Sequence, residues 1–407
     1  MGQDQKTMGK KLGSGIVGGK PHSTAAQIDA AVAFTEAAGT GNGAGLLDPN
    51  AITVVPELNE RQILQTQLAK WKAALIKVMN KTGDAKILML GDSTTSGEQS
   101  GAATIVDGSS SPRLTTLLNS IVPAAQGMGI YPVTGADLRW TLGTGWGRNS
   151  FAGMSGSSVK GTNPTSGNLV YAPSDGAVYD SFDVYYIGGA GHDIGTITVT
   201  ATGGTPIVAD GSSGTTGIRK VTCTTATPST ALTLTVSQTI NNVWFIGAEP
   251  FLSTQKRVRV ANCGVGSSTT STWLLDYSLG SGLDCAKAYH PDLTIINLGI
   301  NDGLGNVAVN TVSANLQTLI TGCKISGDVI IVAFLPTSLS HSGGVGNQAD
   351  QLAMIRALAV ANSIPLFDFA GFYGGVNPGT LLSPDGIHPS ALGYYDMANG
   401  LFPLMVN

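Results

Sequence analysis

The sequence predicts an α/β protein, in which a three-layer α/β/α domain with a parallel sheet is interrupted by an inserted antiparallel β-sandwich. Continuous apolar segments typical of buried strands alternate with helical patterns near both ends of the chain. The middle of the chain instead shows short runs of alternating polarity between turns, a pattern typical of antiparallel strands. The 407 residues are enough for more than one domain.

Changes in composition along the chain predict four segments. Residues 1–55 are small and polar and are expected to form an arm or attachment segment, with one short helical pattern. Residues 56–138 begin the α/β domain, residues 139–254 form the inserted β-sandwich, and residues 255–407 complete the α/β domain.

Each element of the α/β domain has its own pattern. Apolar residues at three- and four-residue steps predict a first helix over 58–79, with Leu64, Leu68, Trp71, Leu75 and Met79 on one stripe. Serines followed by Pro112 predict the start of the next helix. Further helices are expected around 309–320, over 347–361 and from Ala391. Strands are expected at KILMLG, RVRVANCG, DLTIINLG, DVIIVAFLP and IPLFDF.

Composition excludes several classes of function. Only 12% of residues are charged, the net charge is −4 and no basic run occurs, so we expect no nucleic-acid partner. No apolar run has the length of a membrane span or the form of a secretory leader, so we expect no membrane partner. Cysteines are expected to be reduced thiols without metal or cofactor, since they form no CxxC pair or metal spacing: Cys223, Cys263, Cys285 and Cys323.

Ser93 is the first candidate for chemistry. It follows the strand KILMLGD, at the end of a parallel strand where α/β proteins place their sites. A Gly-Asp-Ser turn is ordinary turn chemistry when it stands alone. A serine nucleophile also needs a base, a group that orients the base, and donors for the oxyanion.

His388 is the best candidate for the base. It lies in SPDGIHPS before the last helix, and Asp385 precedes it by three residues. In a tight turn that spacing lets the acid reach Nδ1 and leaves Nε2 free. The same residues would also serve as a simple helix cap. The other histidines have no such neighbour: His22, His192, His290 and His341.

Two further strand ends carry candidate oxyanion donors. Asn301 in INLGINDG offers a side-chain amide, and the glycine-rich turn of VANCGVGSS, with Gly264 and Gly266, offers backbone N–H groups. Ordinary turns would account for each segment taken alone.

Together the four segments resemble the SGNH hydrolase superfamily, the GDSL esterases and lipases. GDSTTSG, NCGVGSS, GIND and DGIHP stand in the order of that family's blocks, each after a predicted strand, over about 85–135 and 255–405. The resemblance implies a flavodoxin-like fold and a serine carboxylic ester hydrolase. No GxSxG motif occurs, which disfavours an ordinary α/β-hydrolase.

The resemblance also implies a role for each matching residue. Ser93 matches the nucleophile, His388 the base and Asp385 its orienting acid, while the Ser93 N–H, Gly266 and Asn301 match the oxyanion hole. Ser267 stands where family members often have a glycine, so the second donor is assigned to Gly266 with Ser267 as the alternative. No metal or cofactor is implied.

The substrate predicted from these features is an O-acetylated polysaccharide. The Thr- and Gly-rich insert resembles modules that accompany carbohydrate esterases, and Trp140, Trp146 and Trp273 are candidates to stack on sugars or to pack in a core. The chain resembles phage tail deacetylases, so we expect a virion or extracellular location. Residues 1–50 would bind a tail partner or a second copy. The alternatives are a bacterial polysaccharide or xylan acetyl esterase, a non-catalytic glycan-binding virion protein, and a lipase or thioesterase.

Overall fold

The computed structural model describes most of the chain beyond residue 66. The described ranges are 67–102, 108–127, 139–149, 158–162, 167–173, 176–189, 195–212, 214–275, 280–337, 346–373, 381–382 and 384–406. The predicted arm at 1–55 lies outside them, as do His22, His192 and His341. The elements that position the site belong to one compact unit, Leu64–Gly371 together with Val376–Asn407.

The described residues form the predicted helices and strands of the α/β domain in the predicted order, together with several elements that the sequence does not predict. The helices are α1 (Ala69–Met79), α2 (Ser93–Ser96), α3 (Ser110–Asn119), α4 (Gly282–Tyr289), α5 (Ile300–Leu304), α6 (Val309–Cys323), α7 (Gln348–Ala361), α8 (Phe369–Phe372) and α9 (Ala391–Val406). The strands are β1 (Ala85–Asp92), β2 (Ala124–Gln126), β3 (Trp140–Leu142), β4 (Trp146–Asn149), β5 (Ser158–Gly161), β6 (Leu169–Tyr171), β7 (Tyr179–Gly188), β8 (Thr196–Ala201), β9 (Ile207–Asp210), β10 (Gly217–Ser229), β11 (Leu234–Ile240), β12 (Val243–Phe251), β13 (Val258–Val265), β14 (Leu293–Asn297), β15 (Asp328–Ala333) and β16 (Leu366–Asp368).

A six-stranded parallel sheet forms the centre of the α/β domain. Its order is β16-β15-β14-β1-β13-β2, and every neighbouring pair is parallel. Without the short β2, this is the flavodoxin-like order 2-1-3-4-5. The chain leaves β1 toward β13 and later crosses to β14 on its other side, so the switch point lies at β1. The predicted α/β fold class is confirmed.

The first helix covers this sheet with a face slightly different from the predicted stripe. Trp71 and Leu75 are buried as expected, and the Trp71 indole donates to the carbonyl of Met405 at 2.9 Å. Met79 is 64% exposed because it is the last residue of α1, and Val78 is buried in its place. Leu64 lies outside the described residues.

Two five-stranded antiparallel sheets are built from the middle of the chain. Their orders are β10-β7-β12-β5-β4 and β3-β6-β11-β8-β9, and they share one apolar core, as in a sandwich. Strand β7 is buried along its whole length because the two faces of its sheet have different partners. Phe182 and Val184 face the sandwich core, while Tyr185 and Ile187 join the core of the α/β domain.

A buried ionic cluster connects the antiparallel sheet to the parallel one. Glu249 on β12 accepts from Arg259 on β13 at 3.0 Å and from the Tyr289 hydroxyl at 2.6 Å. Arg259 also pairs with Asp84. Neither Glu249 nor Arg259 is appreciably exposed, so their charges are compensated within the cluster, to which Lys86 also contributes at 3.9 Å from Glu249.

All four cysteines are buried free thiols, as the sequence predicts. Within the described ranges, no helix has the length and apolar character needed to cross a membrane.

Candidate active site

Ser93 lies at the switch point, directly after the central strand. β1 ends at Asp92, and the single helical turn α2, here called the serine turn (Ser93–Ser96), begins at once. Asp92 Oδ1 accepts from the Thr94 N–H at 2.8 Å and from the Thr94 hydroxyl at 2.7 Å. The N–H of Ser93 is among the first of the turn, which have no acceptor within it and are oriented as donors.

Two asparagines from neighbouring strands hold the serine turn. Asn297, at the end of β14, donates to the hydroxyls of Thr94 and Thr95, both at 3.0 Å. Asn262 on β13 donates to the Thr95 carbonyl at 3.0 Å. A Cβ at Gly264 would clash with the serine-turn backbone, so a glycine is required there for β13 to approach.

Asp92 is a titratable group immediately before the serine. Burial raises its pKa to about 7, although the two hydrogen bonds from Thr94 and the nearby His388 act in the opposite direction. A carboxyl that takes up a proton near neutral pH therefore caps the serine turn.

The second predicted pair, Asp385 and His388, is joined in the structure. Asp385 Oδ2 lies 2.6 Å from His388 Nδ1, and Asp385 Oδ1 accepts the backbone N–H groups of Ile387 and His388 at 2.9 and 3.1 Å. The acid is thereby fixed by its own turn. It orients the imidazole with Nδ1 toward the carboxylate and leaves Nε2 for other chemistry.

His388 lies close to Glu98, which follows Ser93 by five residues. Glu98 is the second residue after the serine turn, and its Oε2 lies 3.7 Å from His388 Nε2. Tyr394 on α9 donates to the carbonyl of Glu98 at 2.8 Å and more weakly to that of Ser93 at 3.4 Å. Among the described contacts, no hydrogen bond joins Ser93 Oγ to His388 Nε2.

The turn after β13 lies beside the serine turn. This glycine turn (Val265–Ser268) closes with the Ser268 N–H donating to Val265 O at 3.1 Å, and Gly266 and Ser267 occupy its centre. Ser267 has φ +61, the left-handed region that glycine prefers. The Ser268 hydroxyl donates to Gly91 O at 3.3 Å and accepts from the Trp273 indole at 3.3 Å.

Asn301 connects the third strand end to the glycine turn. Its Nδ2 donates to Ser268 O at 2.9 Å, which uses one of the two amide hydrogens and leaves one for a ligand. Its neighbour Asp302 is buried and accepts from the Thr270 N–H at 3.0 Å and hydroxyl at 2.8 Å. Burial raises the pKa of Asp302, although the hydrogen bonds from Thr270 act to lower it.

The structure therefore brings the predicted site residues to one edge of the sheet. They come from the ends of β1, β13 and β14 and from the turn before α9: Ser93, Gly266, Asn301, Asp385 and His388. The arrangement supplies a hydroxyl, an acid-oriented imidazole and several N–H donors, the groups required for acyl transfer.

The three tryptophans are buried and take no part in sugar stacking at the surface. Trp140 packs on Tyr171 with ring centroids 4.4 Å apart, and Trp146 donates to Gly167 O at 3.0 Å. Trp273 supports the glycine turn through Ser268. The core alternative is correct for each because a full indole is stabilised most by burial.

Sequence reasoning missed Glu98 and Tyr394. Glu98 lies five residues after Ser93. The serine turn ends at Gly97, and the backbone N–H of Glu98 then donates to Ser93 O at 3.2 Å. Tyr394 lies six residues after His388 on α9. The closeness in sequence of Glu98 to Ser93, and of Tyr394 to His388, was the only indication in the sequence that these residues lie near the site.

The second half of the chain is similar to a known protein family. Residues 248–395 match the sequence model of the GDSL-like lipase/acylhydrolase family. Residues 248–395 belong to an SGNH hydrolase domain. The match includes Gly266, Asn301, Asp385 and His388 and places the protein among the carboxylic ester hydrolases.

A solved structure shows the same overall fold, and others are similar over a smaller part of the chain. A peptidoglycan O-acetylesterase superposes with a TM-score of 0.61 at 15% identity, covering 84% of this chain and 97% of its own. An acetyl xylan esterase (19% identity, TM-score 0.31) covers 37% of this chain and 82% of its own. A lipase/acylhydrolase from Enterococcus faecalis (24%, TM-score 0.31) covers 36% and 74%. No curated protein matches the sequence.

Proposed function

We propose that this SGNH hydrolase is a serine esterase that removes O-acetyl groups from a polysaccharide. The observation that carries the proposal is the hydrogen bond of 2.6 Å between Asp385 Oδ2 and His388 Nδ1. The overall superposition on a peptidoglycan O-acetylesterase supports a fold suited to acetylated glycans. Sequence resemblance, not overall likeness, supports the assignment of roles to individual residues.

In the proposed reaction, the Ser93 hydroxyl attacks the acetyl carbonyl and gives its proton to His388 Nε2. Asp385 stabilises the imidazolium through Nδ1. The negative oxygen of the tetrahedral intermediate accepts from the Ser93 N–H, the free amide hydrogen of Asn301 and the glycine turn, where Gly266 is the assigned donor and Ser267 the alternative. The alcohol leaves with the proton from His388 and Ser93 stays acetylated. Water then attacks this acetyl group while His388 takes its proton, and Ser93 regains the proton from His388 as acetate is released.

Two parts of the proposal rest on sequence alone. The phage-tail or virion role, the extracellular location and the attachment through residues 1–50 come from a segment outside the described residues. Glycan binding by the antiparallel sandwich likewise stays a prediction, since Trp140, Trp146 and Trp273 are buried.

The test is acetate release from O-acetylated bacterial polysaccharide, with p-nitrophenyl acetate and a long-chain ester as comparison substrates. Ser93→Ala should lower turnover by several orders of magnitude, as in other dismantled serine triads. Ser120→Ala, the same change at an exposed serine, should behave as the wild type.

Three results would contradict the proposal in different ways. Hydrolysis that survives Ser93→Ala would remove Ser93 from the chemistry. Activity confined to the long-chain ester would indicate a lipase or thioesterase. A folded protein that binds the polysaccharide but hydrolyses no ester would be a glycan-binding scaffold.

A further inference from the structure

The carboxylate of Glu98 lies inside the candidate site without a role in the reaction above. Its backbone is fixed at both polar groups, because the N–H donates to Ser93 O at 3.2 Å and the carbonyl accepts from Tyr394 at 2.8 Å. The side chain is 32% exposed. The backbone of Glu98 is therefore held in place, and its carboxylate is accessible to solvent or substrate.

Two contacts define where that carboxylate lies. Oε2 is 3.7 Å from His388 Nε2. Oε1 lies against Gly266, so closely that a Cβ at Gly266 would clash with it. The carboxylate thus spans the gap between the imidazole and the glycine turn, which is the gap that an ester must enter.

The position of Nε2 determines which part of the ester comes near Glu98. In the proposed function, on which this inference rests, Nε2 returns its proton to the oxygen of the leaving alcohol. That oxygen must lie within hydrogen-bond distance of Nε2, so the alcohol side of the ester borders Glu98 Oε2.

We propose that Glu98 determines specificity by accepting a hydrogen bond from a sugar hydroxyl adjacent to the ester oxygen. An ionised carboxylate accepts hydroxyl hydrogens through short, charge-assisted bonds. A partly acetylated sugar presents such a hydroxyl on the carbon next to the ester, whereas simple alkyl and phenyl esters do not. The same charge disfavours esters with a carboxylate close to the scissile bond, because like charges repel.

The experiment compares two substrates that differ only in the proposed contact. One is a methyl glycoside with a single O-acetyl group and free neighbouring hydroxyls, and the other is the same mono-acetylated glycoside with those neighbouring hydroxyls replaced by hydrogen. The measured quantity is the ratio of kcat/KM for the first to that for the second. This ratio is insensitive to the folded fraction of a variant and to losses that affect every ester equally.

Glu98→Ala should lower the ratio about 10- to 100-fold, the usual effect of losing a hydrogen bond between a charged group and a substrate hydroxyl. Glu98→Gln should lower it less, since the amide oxygen still accepts but carries no charge. A ratio unchanged or raised in Glu98→Ala would overturn the proposal, whatever the absolute rates.

The proposed function is tested separately with p-nitrophenyl acetate, which lacks a sugar hydroxyl. Loss of that activity in Ser93→Ala together with an unchanged ratio in Glu98→Ala would retain the esterase and reject the role of Glu98. Activity on p-nitrophenyl acetate that survives Ser93→Ala would instead reject the serine mechanism on which the role of Glu98 depends.

Discussion

Asp92 is expected to make the fold less stable as the pH rises from about 4 to 8. Burial raises its pKa to about 7, whereas an aspartate in an unfolded chain titrates near 3.9. Between these values the folded protein holds a proton that the unfolded chain has lost. The stabilising contribution is complete below about pH 4 and is lost as the pH rises through about 7.

The size of the effect follows from the two pKa values. A difference of about three units, at 1.36 kcal/mol for each unit, gives about 4 kcal/mol of unfolding free energy lost across the window. Other buried carboxyls with raised pKa values, such as Asp302 and Asp292, change stability in the same direction. A variant is therefore needed to isolate Asp92.

Asp92→Asn provides that comparison. Its amide oxygen can still accept the Thr94 N–H that Asp92 accepts at 2.8 Å, but it does not titrate. The unfolding free energy of both proteins is measured in urea at several pH values from 4 to 8. The difference, variant minus wild type, should rise by about 4 kcal/mol between the lowest and the highest pH. A difference in unfolding free energy that does not change with pH would refute the reasoning, as would a difference that rises toward low pH.

Two further substitutions test the backbone and the buried charges. Ser267→Gly should raise the unfolding free energy by about 0.5–1 kcal/mol because it relieves φ +61, and Ser267→Ala, which keeps the strain, should give no such gain in the same urea titration. Glu249→Ala should cost about 1–3 kcal/mol, measured by denaturant unfolding, because it leaves the buried Tyr289 hydroxyl without its acceptor and removes one carboxylate from Arg259, which keeps Asp84. A cost below about 1 kcal/mol would show that Arg259 is compensated without Glu249.

The sequence predicts the parallel sheet and the strand ends well because both depend on local patterns. Apolar runs ending in Gly91-Asp92, Gly264 or Gly299 mark strands whose ends must pack closely or turn sharply. The Asp385–His388 pair is also local, since three residues of a tight turn bring the two groups together.

Features that depend on tertiary contacts were less predictable. Alternating polarity indicated the antiparallel strands, yet β7 is buried on both faces because a second core lies behind its sheet. Met79 continues the helical stripe in sequence but falls at the exposed end of α1. Glu98 carries no motif, and its importance appears only when Gly266 and His388 are placed around it.

The residues that hold the serine turn lie on the two strands beside β1. Asn297 ends β14 and Asn262 lies within β13, and their amides donate to Thr94 and Thr95. A substitution at either asparagine removes donors from buried acceptors and also frees the turn that carries Ser93, so stability and activity should fall together. Glu98 is different because its backbone is fixed while its carboxylate is partly exposed. Specificity can therefore change at Glu98 through its side chain, without disturbing the hydrogen bonds that position the nucleophile.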